Sequence, residues 1–221
     1  MAERGKRALT MVELLVVIVV GSGLIVFLLP AFAHHHCKCI KTNCISNLRQ
    51  IGTGFQLWAD DNGGFFPMHF VGNPNYSQLQ PAASASGQPL DYLDANKYFL
   101  AMSNELSAPK LVVCPADSRI PGTNFAMLQN SNVSYFVGLD TDLQHPKMFL
   151  TGDRNWEVNG KPATTGRLRV NTNSTLAWTK QIHNRSGDVT QADGTTQKFS
   201  SSGMQEYFRT IYTNAARLVF P

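Results

Sequence analysis

From Leu14 to Ala33 the chain runs for 20 residues without a charge, and apolar side chains fill nearly every position. A helix of that length has the reach to cross about 30 Å of hydrocarbon. Beyond it the pattern becomes one-sided: Ile40, Cys44, Leu48, Ile51, Phe55 and Trp58 recur at spacings of four, four, three, four and three. That is one face of an α-helix, and Arg49, Gln50, Gln56 and Asp60 fall off it. Asn62, Gly63 and Gly64 supply the left-handed end at which such a helix stops. The spacing therefore predicts one helix of roughly fifty residues, about 75 Å long at 1.5 Å per residue. Its first half is apolar all round and its second half amphipathic. Pro30 should kink it, helped by Gly21 and Gly23.

The pattern then shortens. Phe65 to about Ser107 reads as loop, with a short helix around Leu90 to Met102. The runs KLVVCP, VSYFVGL, KMFLTGD and STLAWTKQI read as strands. GDVTQ and TTQKF flank Ala-Asp-Gly and predict a β-hairpin. A last helix is expected over about Ser202 to Arg217. The fold class is α+β: a long N-terminal helix with an antiparallel sheet packed on its amphipathic half. No internal repeat is visible.

Charge refines the picture at one end. Of the formal net charge of +4, Arg4, Lys6 and Arg7 cluster ahead of the apolar run, and the remainder is close to neutral. This is the layout of a positive-inside topogenic signal and not of a nucleic-acid footprint, so the charge establishes no nucleic-acid partner. Glu13 stands at the leading edge of the run, where a carboxylate is costly to desolvate. Thr10 to Glu13, TMVE, has the form of a capping box, in which each side chain satisfies a free N–H at the helix start. A competing signal is Pro30-Ala31-Phe32-Ala33, which fits the small-residue rule for secretory cleavage before His34. Against that reading, the apolar run exceeds the usual h-region of about 7–15 residues, and the amphipathic stripe continues through the supposed cut.

Candidate chemistry is sparse. Four cysteines, Cys37, Cys39, Cys44 and Cys114, allow three complete pairings. If the run exports the rest of the chain, disulfides persist there. Cys44 on the apolar stripe and Cys114 at the end of a strand can meet across the helix–sheet contact, as a disulfide or as two buried thiols. His34 to Cys39, HHHCKC, offers soft ligands, yet neighbouring residues on a helix point apart, so any metal there would bridge subunits. His183 has no serine or cysteine partner at a recognisable motif, and loop hydrogen bonding is its expected role.

Ala8 followed by Leu9, Thr10, Met11, Val12 and Glu13 resembles the type III signal of type IV pilins and type II secretion pseudopilins. That pattern has a basic leader, a small residue at the cut, an apolar first residue and a glutamate four positions on. Family members usually carry Gly and Phe at the cut, where this chain has Ala8 and Leu9. Pro30 falls where the family's kinking proline sits. CISNLRQIGTGFQLWADDNGGFFP, LVVCPAD, SYFVGLD and His183 to Gly194, a histidine followed after nine residues by Asp-Gly, are similar to pilin-like proteins of Planctomycetes and Verrucomicrobia.

The resemblance implies a layout of leader 1–8, assembly and transmembrane helix 9–33, amphipathic continuation 34–62 and a globular antiparallel-sheet domain 63–221. It also implies cleavage between Ala8 and Leu9 and N-methylation of Leu9 by a prepilin peptidase. Residence would be single-pass in the inner membrane with the sheet domain periplasmic. Assembly into a type IV pilus or secretion pseudopilus would come next, with Glu13 meeting the Leu9 amine of a neighbour. The implied partners are like subunits, the peptidase, the assembly platform and lipid, and the chain itself is not expected to be an enzyme. Asp188 and Asp193 resemble the calcium loop of major pseudopilins, although carboxylates beside glycine also simply form turns, the preferred reading. The rivals are a membrane-anchored monomer with a ligand-binding domain, and a soluble protein secreted after cleavage at Ala33.

Overall fold

A computed structural model describes residues 10–33, 35–70 and 94–221, with the side chains of 24–42 outside that description. The leader, the Ala8–Leu9 cut and residue 34 therefore lie outside the described residues, as do the 71–93 part of the expected loop and the Pro30 and 35–39 side chains. The chain divides into two compact units, Met1–Ile40 and Lys41–Pro221.

In the first unit, α1 spans Met11–Ala33, and Glu13 is its only charged residue. The second helix, α2, spans His35–Asp61. Among the described residues no helix is long and apolar enough to cross a membrane. Helix α2 ends where the sequence places the stop. Gly63 and Gly64 take positive φ of 70° and 86°, and the Gly64 N–H donates to the Ala59 carbonyl at 2.8 Å.

The second unit is α+β. Its main sheet has six antiparallel strands in the order β5 (Gly166–Asn171), β9 (Ala215–Phe220), β1 (Tyr135–Gly138), β2 (Phe149–Asp153), β7 (Ser186–Gln191) and β8 (Thr196–Ser200). A smaller sheet pairs β4 (Lys161–Pro162), β3 (Trp156–Val158) and β6 (Leu176–Trp178). Two short helices, α3 (Asn96–Ala101) and α4 (Ser201–Ile211), complete the unit.

Strand side chains alternate between faces, and here each face has its own core. Tyr135, Val137, Leu150 and Val219 pack with Cys44, Leu48, Ile51, Phe55 and Ala59 of α2. Phe136, Phe149, Val189, Leu218 and Phe220 pack with Trp156, Trp178 and the Met204 and Phe208 face of α4. The α2 stripe thus covers one face of the main sheet, while α4 and the small sheet cover the other.

Several elements depart from the sequence reading. KLVVCP holds a 3₁₀ turn, Pro109–Val112, because Pro109 presets a helical first position and lacks the N–H that a ladder needs. Cys114 comes after this turn and does not end a strand. The last helix stops at Ile211, and β9 takes its place, held by strands on both sides. The helix expected near Leu90 to Met102 is the single turn and a half of α3. STLAWTKQI keeps only Leu176–Trp178 as strand.

Candidate functional site

At the start of α1 the capping box is formed in both directions. The Thr10 N–H and hydroxyl donate to Glu13 Oε2 at 2.9 and 3.1 Å, and the Glu13 N–H donates to Thr10 Oγ1 at 3.3 Å. From Met11 to Val20 every apolar side chain is more than half exposed within the chain, from Leu14 at 51% to Met11 at 84%. A helix with such a continuous apolar surface needs apolar cover.

The second site is enclosed, and the sheet register builds it. Tyr135 on β1 stands opposite Asp153 on β2, and Gly152 opposite Val189 on β7, so Asp188 is the next neighbour of Asp153 across the β2–β7 ladder. Tyr135, Asp153 and Asp188 are fully buried. The Asp188 N–H donates to Asp153 Oδ2 at 2.7 Å. His183 reaches the two carboxylates from the segment ahead of β7, with its Nε2 3.6 Å from Oδ2 of Asp153 and 3.6 Å from Oδ2 of Asp188. The same nitrogen lies 3.3 Å from Cys114 Sγ. Cys114 is disulfide-bonded to Cys44 of α2, with Cα atoms 5.2 Å apart. Nearby, the Asn47 side chain of α2 donates to the Val113 carbonyl at 3.1 Å.

The backbone that delivers His183 is unusual. His183, Asn184 and Arg185 are consecutive non-glycine residues at φ 53°, 48° and 62°. Each such residue costs of order 1–3 kcal/mol unless its surroundings hold it. Asn155 supplies part of that hold, donating to the Ile182 carbonyl at 2.8 Å and the Thr179 carbonyl at 3.2 Å. The Ser186 hydroxyl donates to the His183 carbonyl at 2.7 Å, and the Arg185 N–H to the Thr179 carbonyl at 3.1 Å.

Burial pushes the Asp153 carboxyl well above the usual carboxylate range, and the Asp188 charge adds to that. The Tyr135 phenol is likewise raised well above its ordinary value, first by burial and then by Asp153. Among the described residues, two groups of side chains could share an ion: Asp153, His183 and Asp188, and Cys44, Cys114 and His183.

The positions singled out in the sequence separate in space. Asp188 belongs to the buried cluster, whereas Asp193 sits in the β7–β8 turn. There its Oδ1 accepts the Thr195 N–H at 2.9 Å and its Oδ2 meets Lys147 Nζ at 2.9 Å. The two carboxylates thus have different surroundings, and Asp193 holds the turn through Thr195 and Lys147. His183 contacts a cysteine sulfur and two carboxylates, where only a loop role was expected. Asp153 and Tyr135 were missed. The available signal was the repeated Gly-Asp, ending a strand-like run at Gly152-Asp153 and opening one at Gly187-Asp188.

Comparison with known proteins yields no match to a family model, to a characterised protein sequence or to a solved structure.

Proposed function

We propose that this chain is a pilin-like structural subunit, processed between Ala8 and Leu9 and assembled through its N-terminal helix into a pilus or secretion pseudopilus. The observation that carries the reading is α1 itself. It is a 23-residue helix whose only charged residue is Glu13, and its described apolar side chains, from Met11 to Val20, are exposed. A monomer in water does not sustain that surface, whereas lipid before assembly and neighbouring helices after it would cover it. In this reading the uncharged sequence from Leu14 to Ala33 crosses the inner membrane once, although no helix among the described residues alone is long and apolar enough to do so, and the sheet domain lies in the periplasm. The sheet domain decorates the polymer, and the chemistry performed on the subunit belongs to a peptidase-methylase.

Glu13 has two roles in this reading. It closes the cap with Thr10, and in the polymer its carboxylate meets the methylated amine of Leu9 on a neighbour, so that neither charge is buried alone. The Glu13→Gln variant separates them, because the amide keeps hydrogen-bonding capacity but not charge. Membrane-extracted wild type should begin at Leu9 and carry an N-methyl group by intact mass. Glu13→Gln should be inserted and processed yet give no sheared filaments alongside the assembly machinery. Normal filament yield from Glu13→Gln would reduce Glu13 to a cap. A chain beginning at His34 would replace the subunit reading with a secreted soluble protein, and a detergent monomer with bound ligand would favour an anchored binding protein.

A further inference from the structure

We infer that Asp153, His183 and Asp188 form a buried site for one divalent cation of the zinc type. The three ligand atoms come from different places in the chain, two adjacent strands and the strained segment at 183–185, and converge on one point inside the domain. Their spacing suits a shared central ion better than direct contact. His183 Nε2 stands 3.6 Å from each carboxylate oxygen, beyond hydrogen-bond length. Ligands at about 2.0–2.1 Å from a tetrahedral zinc lie about 3.4 Å from one another.

Charge balance points the same way. All three side chains are 0–1% exposed. The nearest guanidinium in sequence, Arg154, turns away to Asp117, which its Nε and Nη2 meet at 2.8 and 2.9 Å. The Lys198 charge also acts on Asp153, and a divalent ion held with a neutral imidazole would balance both carboxylates in their ionised form. Asp153 Oδ1 is buried without a hydrogen-bond partner, which leaves a carboxylate oxygen available inside the cluster. Calcium would demand six to eight oxygen ligands, and an imidazole with two carboxylates is a zinc-like set. This inference is independent of the filament reading.

The test uses the full chain extracted in detergent from cells grown with added zinc. His34→Ala, His35→Ala and His36→Ala remove the other imidazole-rich segment. Elemental analysis of this background protein should find about one zinc per chain, and His183→Gln and the Asp153→Asn, Asp188→Asn double variant should each lose it. A metal-free background protein, or a full equivalent retained by either variant, would overturn the site. Should those variants not fold, X-ray absorption of the zinc-loaded background protein decides. A nitrogen and oxygen shell near 2.0–2.1 Å is expected, while a shell containing sulfur near 2.3 Å would move the ion to the cysteines and overturn the assignment.

Discussion

At the scale of single residues, the Asp117–Arg154 pair makes the most direct prediction. The Asp117 side chain is 2% exposed and takes two hydrogen bonds from the Arg154 guanidinium. Burial would raise its carboxyl, but the hydrogen bonds and charge of Arg154 and the charge of Arg119 outweigh it, leaving the carboxyl below its ordinary value. A depressed carboxyl contributes stability that is present above the unfolded value of about 3.9 and lost as pH falls through the folded one. Arg154→Ala should therefore cost about 2–4 kcal/mol in urea unfolding at neutral pH, between the exposed and fully buried cases. The cost should shrink below about pH 4, and an equal cost at both pH values would refute the charge account. The buried cluster illustrates why residue-scale function resists reading from sequence. Asp153, His183 and Asp188 meet only because the β2–β7 register and the left-handed run at 183–185 bring them together, and neither feature has a local sequence signature.

At the scale of elements, α2 approaches β7 through Gly52. A Cβ built there would lie 2.7 Å from Thr190 Cγ2, while the Thr190 hydroxyl donates to the Leu48 carbonyl at 3.3 Å. Gly52→Val should destabilise the domain by about 1–3 kcal/mol through overpacking. Gly52→Ala should fare better in a Thr190→Ser background, where the methyl is gone and the gain of about 1 kcal/mol in helix propensity emerges. Additive urea midpoints for the two changes would show that they do not touch. From Cys44 to Phe55 this stripe was legible, because its period comes from one helix burying one face. The β7–β8 hairpin was legible too, since Asp193-Gly194 encodes its turn locally, with Gly194 at φ 78°. The hairpin of β3 and β4 turns at Asn159 and Gly160, φ 52° and 75°, and carried the same kind of signal unread. By contrast, residues 215–220 form a strand only because β5 and β1 offer edges on either side, a tertiary pairing that overrides local preference.

At the scale of the whole molecule, the Cys44–Cys114 bridge ties α2 to the segment before β1 across 70 residues. Replacing both cysteines by alanine should lower stability by about 2–5 kcal/mol. Non-reducing peptide mapping should recover the linked pair, and two freely alkylating thiols in the unfolded chain would exclude it. The segregation into one helix-facing core and one core shared by α4 and the small sheet explains why the α+β class was evident from pattern while the second sheet was not. The strands of that sheet are only two or three residues long, too short for a period to register.

The position of β9 has a temporal meaning. Of the strands in the main sheet it is the last to leave the ribosome, yet it occupies an interior place between β5 and β1. Until residues 215–220 emerge, both neighbours present open edges, and Arg119 lacks the Pro221 carbonyl that its Nη2 reaches at 3.1 Å. β5 must therefore wait unpaired and β1 with one edge open, so the domain reaches its final form late. A nascent chain halted at Asn214 should stay protease-sensitive, and release of seven further residues should confer resistance in a single step.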